Sequence, residues 1–153
     1  MAKKFKNILI SLDQSEQSGD VIKCGNDIAV RYRADLTLLN VIPSDARYEI
    51  RDDNRILPSH PLDTDSVKVD YLQAYRWLES LLPKTLEKSI NVQVRVLVAT
   101  ESVAVEIVHY AEQNSIDFIV MGTRGKTGVK RMLLGSVALH VITYAHCPVL
   151  VIR

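Results

Sequence analysis

Cysteine is nearly absent from this chain. Its 153 residues hold only Cys24 and Cys147, far apart and outside any Cys-x-x-Cys spacing, which argues against a disulfide framework and against a cysteine-built zinc site. A surplus of either charge is missing too. The 19 basic residues face 18 acidic ones, a formal net charge of +1, so nothing draws the whole molecule toward nucleic acid or an anionic bilayer. Long apolar runs are also lacking: the basic start MAKKFKN leads only into ILISL before Asp13, too short for a signal-peptide core and far too short to span a membrane. Among the few histidines, His109 falls in a helical pattern, and His140 and His146 stand six apart, a poor spacing for two ligands on one helix face. No metal site is therefore expected. These absences lead to the expectation of a cytoplasmic, reduced protein without a nucleic-acid or membrane partner.

What is present is an ordinary globular balance, 47% hydrophobic and 24% charged, at a length that fits one domain over residues 1–153. Short apolar runs alternate with helical patterns. NILISL (7–12), LTLLNVI (36–42) and DFIVM (117–121) are nearly unbroken apolar segments of strand length, as expected of parallel strands covered on both faces. VQVRVLV (92–98) sets Val92, Val94, Val96 and Val98 on one side and Gln93 and Arg95 on the other, and reads as a strand nearer an edge. CPVLVIR closes the chain as a last short strand, with Pro148 outside a fully paired ladder. Between them lie helical stripes over 16–32, with Ser15 or Asp13 available as cap, and over 66–82, which Pro83 should end or kink. Two more cover 102–114, with Thr100 or Ser102 as cap, and 136–145. Strand and helix alternating in this way predict an α/β fold, a five-stranded parallel doubly wound sheet with about four helices.

Residues 43–65, PSDARYEIRDDNRILPSHPLDTD, break the rhythm with three prolines, five aspartates and little periodicity. Such a loop after the second strand would emerge at the carboxyl edge of the sheet, either as a lid or as a solvated segment without specific contacts.

The chemistry concentrates in VMGTRGKTGVKRMLLGS (120–136). Its Gly-Lys-Thr suggests a Walker A loop, but that motif requires glycine where Val120 stands. Glycines at 122, 125 and 128 also miss the Gly-x-Gly-x-x-Gly spacing. What remains is a glycine loop opening as a strand ends, flanked by Arg124, Lys126, Lys130 and Arg131, with Gly135-Ser136 at the start of the last helix. Backbone N–H groups of such a loop approach an anion closely, and a helix N-terminus offers a second anion site. On loop composition alone the alternative stands equally: the glycines turn the chain and the cations are solvated surface.

Gly122-x-x-Gly125, nine residues, then Gly135-Ser136 reproduces the Gly-2x-Gly-9x-Gly-[Ser/Thr] signature of the universal stress protein family, ATP-binding branch. The resemblance extends over the whole chain: NILISLDQSEQS is similar to the family's opening strand ending in Asp, LTLLNVI to its second strand, HCPVLVIR to its closing strand. It implies a sheet ordered 3-2-1-4-5 with ATP, ADP or AMP, with or without Mg²⁺, across the carboxyl ends of the first and fourth strands. It also implies a homodimer through the C-terminal strand.

Residue by residue, the resemblance places Asp13 at the adenine edge or first loop, Val41 against the base, and Met121 and Gly122 along the ribose. Arg124 and Gly125 fall in the phosphate loop, and Gly135, Ser136 and Val137 at the phosphates. For Asp13 a helix cap, and for Val41 plain core, are the competing readings. Two departures stand out: Gln14 where the family commonly has Gly, and Ala99-Thr100 where it often has Gly ahead of the third helix. The implied function is a stress-response regulatory protein that ATP occupancy switches. A weak ATPase and an interaction protein without nucleotide are the alternatives. No general base is evident in the loop, so efficient hydrolysis is not expected.

Overall fold

Strands form where the apolar runs are unbroken and helices where the apolar residues recur every third or fourth position. The computed structural model describes residues 5–43, 48–50, 56–58, 63–85, 90–123 and 134–153. In chain order these form β1 (Asn7–Ser11), α1 (Ser18–Tyr32), β2 (Asp35–Ile42), β3 (Tyr48–Ile50), β4 (Ile56–Pro58) and α2 (Asp63–Thr85). There follow β5 (Val92–Val98), α3 (Val103–Gln113), β6 (Phe118–Gly122), α4 (Ser136–Tyr144) and β7 (Val149–Ile152). Five strands make one sheet in the order β5-β2-β1-β6-β7, parallel throughout. Counted within that sheet alone, this is the 3-2-1-4-5 order that the resemblance implies, and the period-two strand Val92–Val98 lies at its edge as expected.

Successive residues of a strand point to opposite faces, so an unbroken apolar run supplies two cores at once. Ile8, Ile10, Leu36, Leu38 and Val120 pack with Ile22, Ala29, Ala74 and Leu78 of α1 and α2. Leu9, Leu39, Val41, Ile119 and Met121 pack on the other face with Ile107, Ala111 and Val141 of α3 and α4. Each fully buried Leu or Ile contributes about 1.5–3 kcal/mol relative to exposure. These two layers hold the carboxyl ends of β1 and β6 rigidly side by side.

Three expectations are corrected. Helix α1 begins at Ser18 with Gln17 as N-cap and no side-chain capping bond, because two turns over residues 13–18 consume the residues expected to cap it. Helix α2 passes through Pro83 to Thr85: a proline this near the end removes one intrahelical bond and leaves the earlier turns, anchored by buried Ala74 and Leu78, intact. Within 43–65 the backbone forms a small antiparallel hairpin, Tyr48 opposite Pro58 and Ile50 opposite Ile56, and α2 already starts at Asp63.

Candidate functional site

Strand order places the site. From β1 the chain crosses to β2 and β5 on one side, then returns over the sheet to β6 on the other, so the connections diverge between β1 and β6. At such a point the carboxyl edge of an open parallel sheet leaves a crevice. Ser11 is paired with Met121, and Asp13 and Thr123 each follow two residues later, past the ends of their strands.

The wall on the β1 side is a tight double turn. Asp13 Oδ1 accepts the Ser15 N–H at 3.1 Å, and Ser15 C=O accepts the Ser18 N–H at 3.1 Å. Between them Gln14 has φ 62°, the left-handed region that glycine occupies without cost. The chain therefore takes, with glutamine, a backbone conformation that favours glycine. Asp13 closes this turn and does not cap α1. Behind the turn, buried Asn40 donates from Nδ2 to Leu12 C=O at 2.7 Å, and Leu12 N–H donates to Leu39 C=O at 2.9 Å. The exit of β1 is thereby fastened to β2.

The wall on the β6 side joins three elements. Gly122 ends the strand opposite Ile152. Next, Thr123 donates its N–H to Ile152 C=O at 2.8 Å and accepts the Gly135 N–H on its own C=O at 2.7 Å. Gly135 is the N-cap of α4, extended at φ −72° and ψ 158°, and this bond seats the head of α4 beside the end of β6. Helix geometry leaves the first N–H groups without an intrahelical acceptor. Among the described residues no backbone acceptor pairs with the amides of Ser136 and Val137, and Ser136 is exposed. The free donors and the positive end of the helix dipole together suit an anion.

Seven of the nine candidate residues lie at this edge of the sheet: Asp13, Val41, Met121, Gly122, Gly135, Ser136 and Val137. Arg124 and Gly125 fall outside the described residues, as do Lys126, Thr127, Gly128, Lys130 and Arg131. Val41 and Met121, 7% and 4% exposed, pack in the core beneath the crevice with Leu9 and Leu39. The loop after β5 is occupied by its own capping. Thr100 donates from N–H and Oγ1 to Glu106 Oε1 at 3.0 and 2.7 Å, and Ser102 Oγ accepts the Val105 N–H. Of the two expected caps, Ser102 is the one used.

Sequence reading passed over Asn40, Gln17 and Thr123. Asn40 carried a signal, being the one amide in an otherwise apolar stretch of β2. Gln17 and Thr123 meet, Nε2 to Oγ1 at 3.4 Å, across 106 positions of sequence, which no local pattern foretells. The described histidines are dispersed: His109 is exposed on α3, the His140 ring lies tilted against Tyr144, and His146 Nε2 meets Ile116 C=O. Among the described residues no group of three His, Cys, Asp or Glu side chains is placed to hold a metal, and no helix is long and apolar enough to cross a membrane.

Comparison with known proteins agrees with this architecture. The profile of the Universal stress protein family matches residues 4–153. Universal stress protein MJ0531 of Methanocaldococcus jannaschii is 33% identical over 97% of this chain and 82% of its own length. Universal stress protein YxiE of Bacillus subtilis is 30% identical over 97% and 99%. Among solved structures, that of MJ0577, also of M. jannaschii, superposes with a TM-score of 0.78 at 30% identity, covering 98% of this chain and 96% of that one. A doubly wound sheet in this order, a crevice framed by a strand-end aspartate and a Gly-Ser helix head, and relatives aligned along nearly the full chain lead to one conclusion: the chain belongs to the universal stress protein family.

Proposed function

We propose that this chain is a member of the family's ATP-binding branch, a single cytoplasmic domain over residues 1–153 that holds ATP, ADP or AMP as an occupancy switch. The observation that carries this reading is the bond from Gly135 N–H to Thr123 C=O at 2.7 Å. It supports the reading by seating the head of α4 beside the end of β6, where the amides of Ser136 and Val137, unpaired with any described backbone acceptor, and the helix dipole would serve a phosphate chain. Gly135 spends its own amide on Thr123, so its contribution is the absence of a side chain. Asp13 offers an acceptor at the opposite wall, Val41 and Met121 an apolar floor for the base, and Gly122 a bare backbone beside the ribose. Arg124 and Gly125 complete the phosphate loop.

Mg²⁺ in this reading arrives on the nucleotide, since the described residues provide no cluster of their own for it. Two structures of the same fold, 17% and 18% identical to this chain, are complexes with cAMP and dAMP. At that identity they speak for the fold, and show that in those proteins it is found with adenine nucleotides.

The test is mass analysis of nucleotide released from the purified protein, with binding of added ATP measured by calorimetry. Wild type is expected to carry or bind adenine nucleotide and Gly122→Val to have lost it. Ser136→Ala, deprived of one hydroxyl contact, is expected to bind about 2- to 10-fold more weakly, the range of a single hydrogen bond. Absence of adenine nucleotide from wild type in both assays sinks the proposal. Phosphate release with added Mg²⁺ then separates a switch from a slow ATPase.

A further inference from the structure

Thr123 is the first residue after β6 and is 5% exposed. Three hydrogen bonds converge on it. Two are the backbone bonds to Ile152 and Gly135 already described. The third, from Gln17 Nε2 to its Oγ1, comes from the N-cap of α1, where no side chain caps the helix. One buried threonine thus touches both walls of the crevice, the head of α4 through its carbonyl and the head of α1 through its hydroxyl.

The polar groups beside that third bond are poorly served. Gln17 Oε1 and Ser18 Oγ are buried and have no hydrogen-bond partner among the described residues. Buried polar atoms left unpaired cost free energy, and among the described residues the contact with Thr123 is the hydrogen bond that the Gln17 carboxamide makes. At 3.4 Å that bond is near the upper limit of useful length, and a small shift of either wall breaks it.

We propose that the Gln17–Thr123 hydrogen bond sets the width of the crevice, with Thr123 as a positioning residue that couples the turn at residues 13–18 to the phosphate-side wall. The proposal rests on the nucleotide reading of this site and adds a regulation to it. A ligand seated at the head of α4 is felt by the Asp13 turn through Thr123. Disturbing that turn weakens binding at a distance from any residue touching phosphate.

Thr123→Val keeps the shape and removes the acceptor, Thr123→Ser keeps the acceptor, and Gln17→Leu removes the donor. In the ligand-free proteins, the Ser15 and Ser18 amides are expected to exchange hydrogen several-fold faster in Thr123→Val and Gln17→Leu than in wild type or Thr123→Ser. Thr123→Val and Gln17→Leu each are expected to weaken ATP binding about 5-fold, within the range of one hydrogen bond. Thr123→Ser should stay close to wild type, and the double variant should be no weaker than either single one, because both remove the same contact. Losses that multiply in the double variant, or unchanged exchange at residues 15–18, overturn the coupling. If wild type takes no adenine nucleotide, the nucleotide reading fails, and the exchange comparison alone still decides whether the two walls are joined.

Discussion

Two glycines of α1 show how far identical residues differ in what they do. A Cβ added at Gly25 would lie 2.4 Å from Ile10 Cδ1 and 2.6 Å from its Cγ1, and Ile10 is fully buried between strand and helix, so it has nowhere to move. Gly19, six residues earlier, has nothing within 4 Å of an added Cβ. Gly25→Ala is therefore expected to destabilise the fold by about 1–3 kcal/mol through overpacking. Gly19→Ala should stabilise it by about 0.5 kcal/mol, because alanine gives up less backbone freedom on entering a helix. Urea unfolding of the two variants checks the pair, and equal shifts would mean that α1 does not press on β1 as described. Gln14 belongs to the same scale. A glutamine at φ 62° bears a strain of about 1 kcal/mol that glycine would not, so the first loop keeps the glycine path at a cost.

At the scale of elements, the caps separate stability from function. Ser102 Oγ accepts the Val105 N–H at 3.2 Å at the head of α3, away from the β1/β6 crevice. Ser102→Ala is expected to lower stability by about 1 kcal/mol and leave nucleotide affinity as it was, measurable as a lower urea midpoint with an unchanged ATP dissociation constant. A parallel loss of affinity would bring the loop after β5 into the site. The same contrast explains what was readable beforehand. The main strands were legible because burial on both faces demands unbroken apolar runs, and α3 and α4 because their stripes and boundary residues agree. The hairpin of β3 and β4 was not. Three-residue strands hold no alternation to count, and Pro58 within the second argues locally against a strand. The double turn that delays α1 depends on Gln14 adopting a backbone conformation that its chemistry disfavours. The glycine signature was legible from spacing alone, and its described members Gly122 and Gly135 lie at the end of β6 and the head of α4. It was silent on Gln17 and Thr123, whose meeting is a product of the sheet order alone.

For the whole molecule, the strand order that opens the crevice also leaves β7 paired on one side only among the described residues. Thr123, bonded to Ile152 at the end of β7, joins that edge to the proposed nucleotide site. Beside β7, helix α4 presents Leu139, Ile142 and Tyr144 at 56%, 45% and 62% exposure. An unpaired strand edge next to an apolar helix face is costly to leave in water, and a second copy related by a two-fold axis covers both at once. We propose, from this juxtaposition, the homodimer through the C-terminal strand that the family resemblance implies. Across a two-fold axis a patch meets itself, so Leu139→Glu with Ile142→Glu places four like charges in one interface, while each exposed position costs the isolated fold no more than about 0.5 kcal/mol. Wild type is expected to sediment as a dimer at micromolar concentration, and the double variant as a monomer with the same far-ultraviolet circular dichroism. A monomeric wild type, or a variant that remains dimeric, would move the interface away from this edge. If the variant sediments as a monomer and still binds ATP with wild-type affinity, each copy holds a complete nucleotide site and the dimer serves only to cover the edge; weakened binding would show that closing β7 also steadies Thr123.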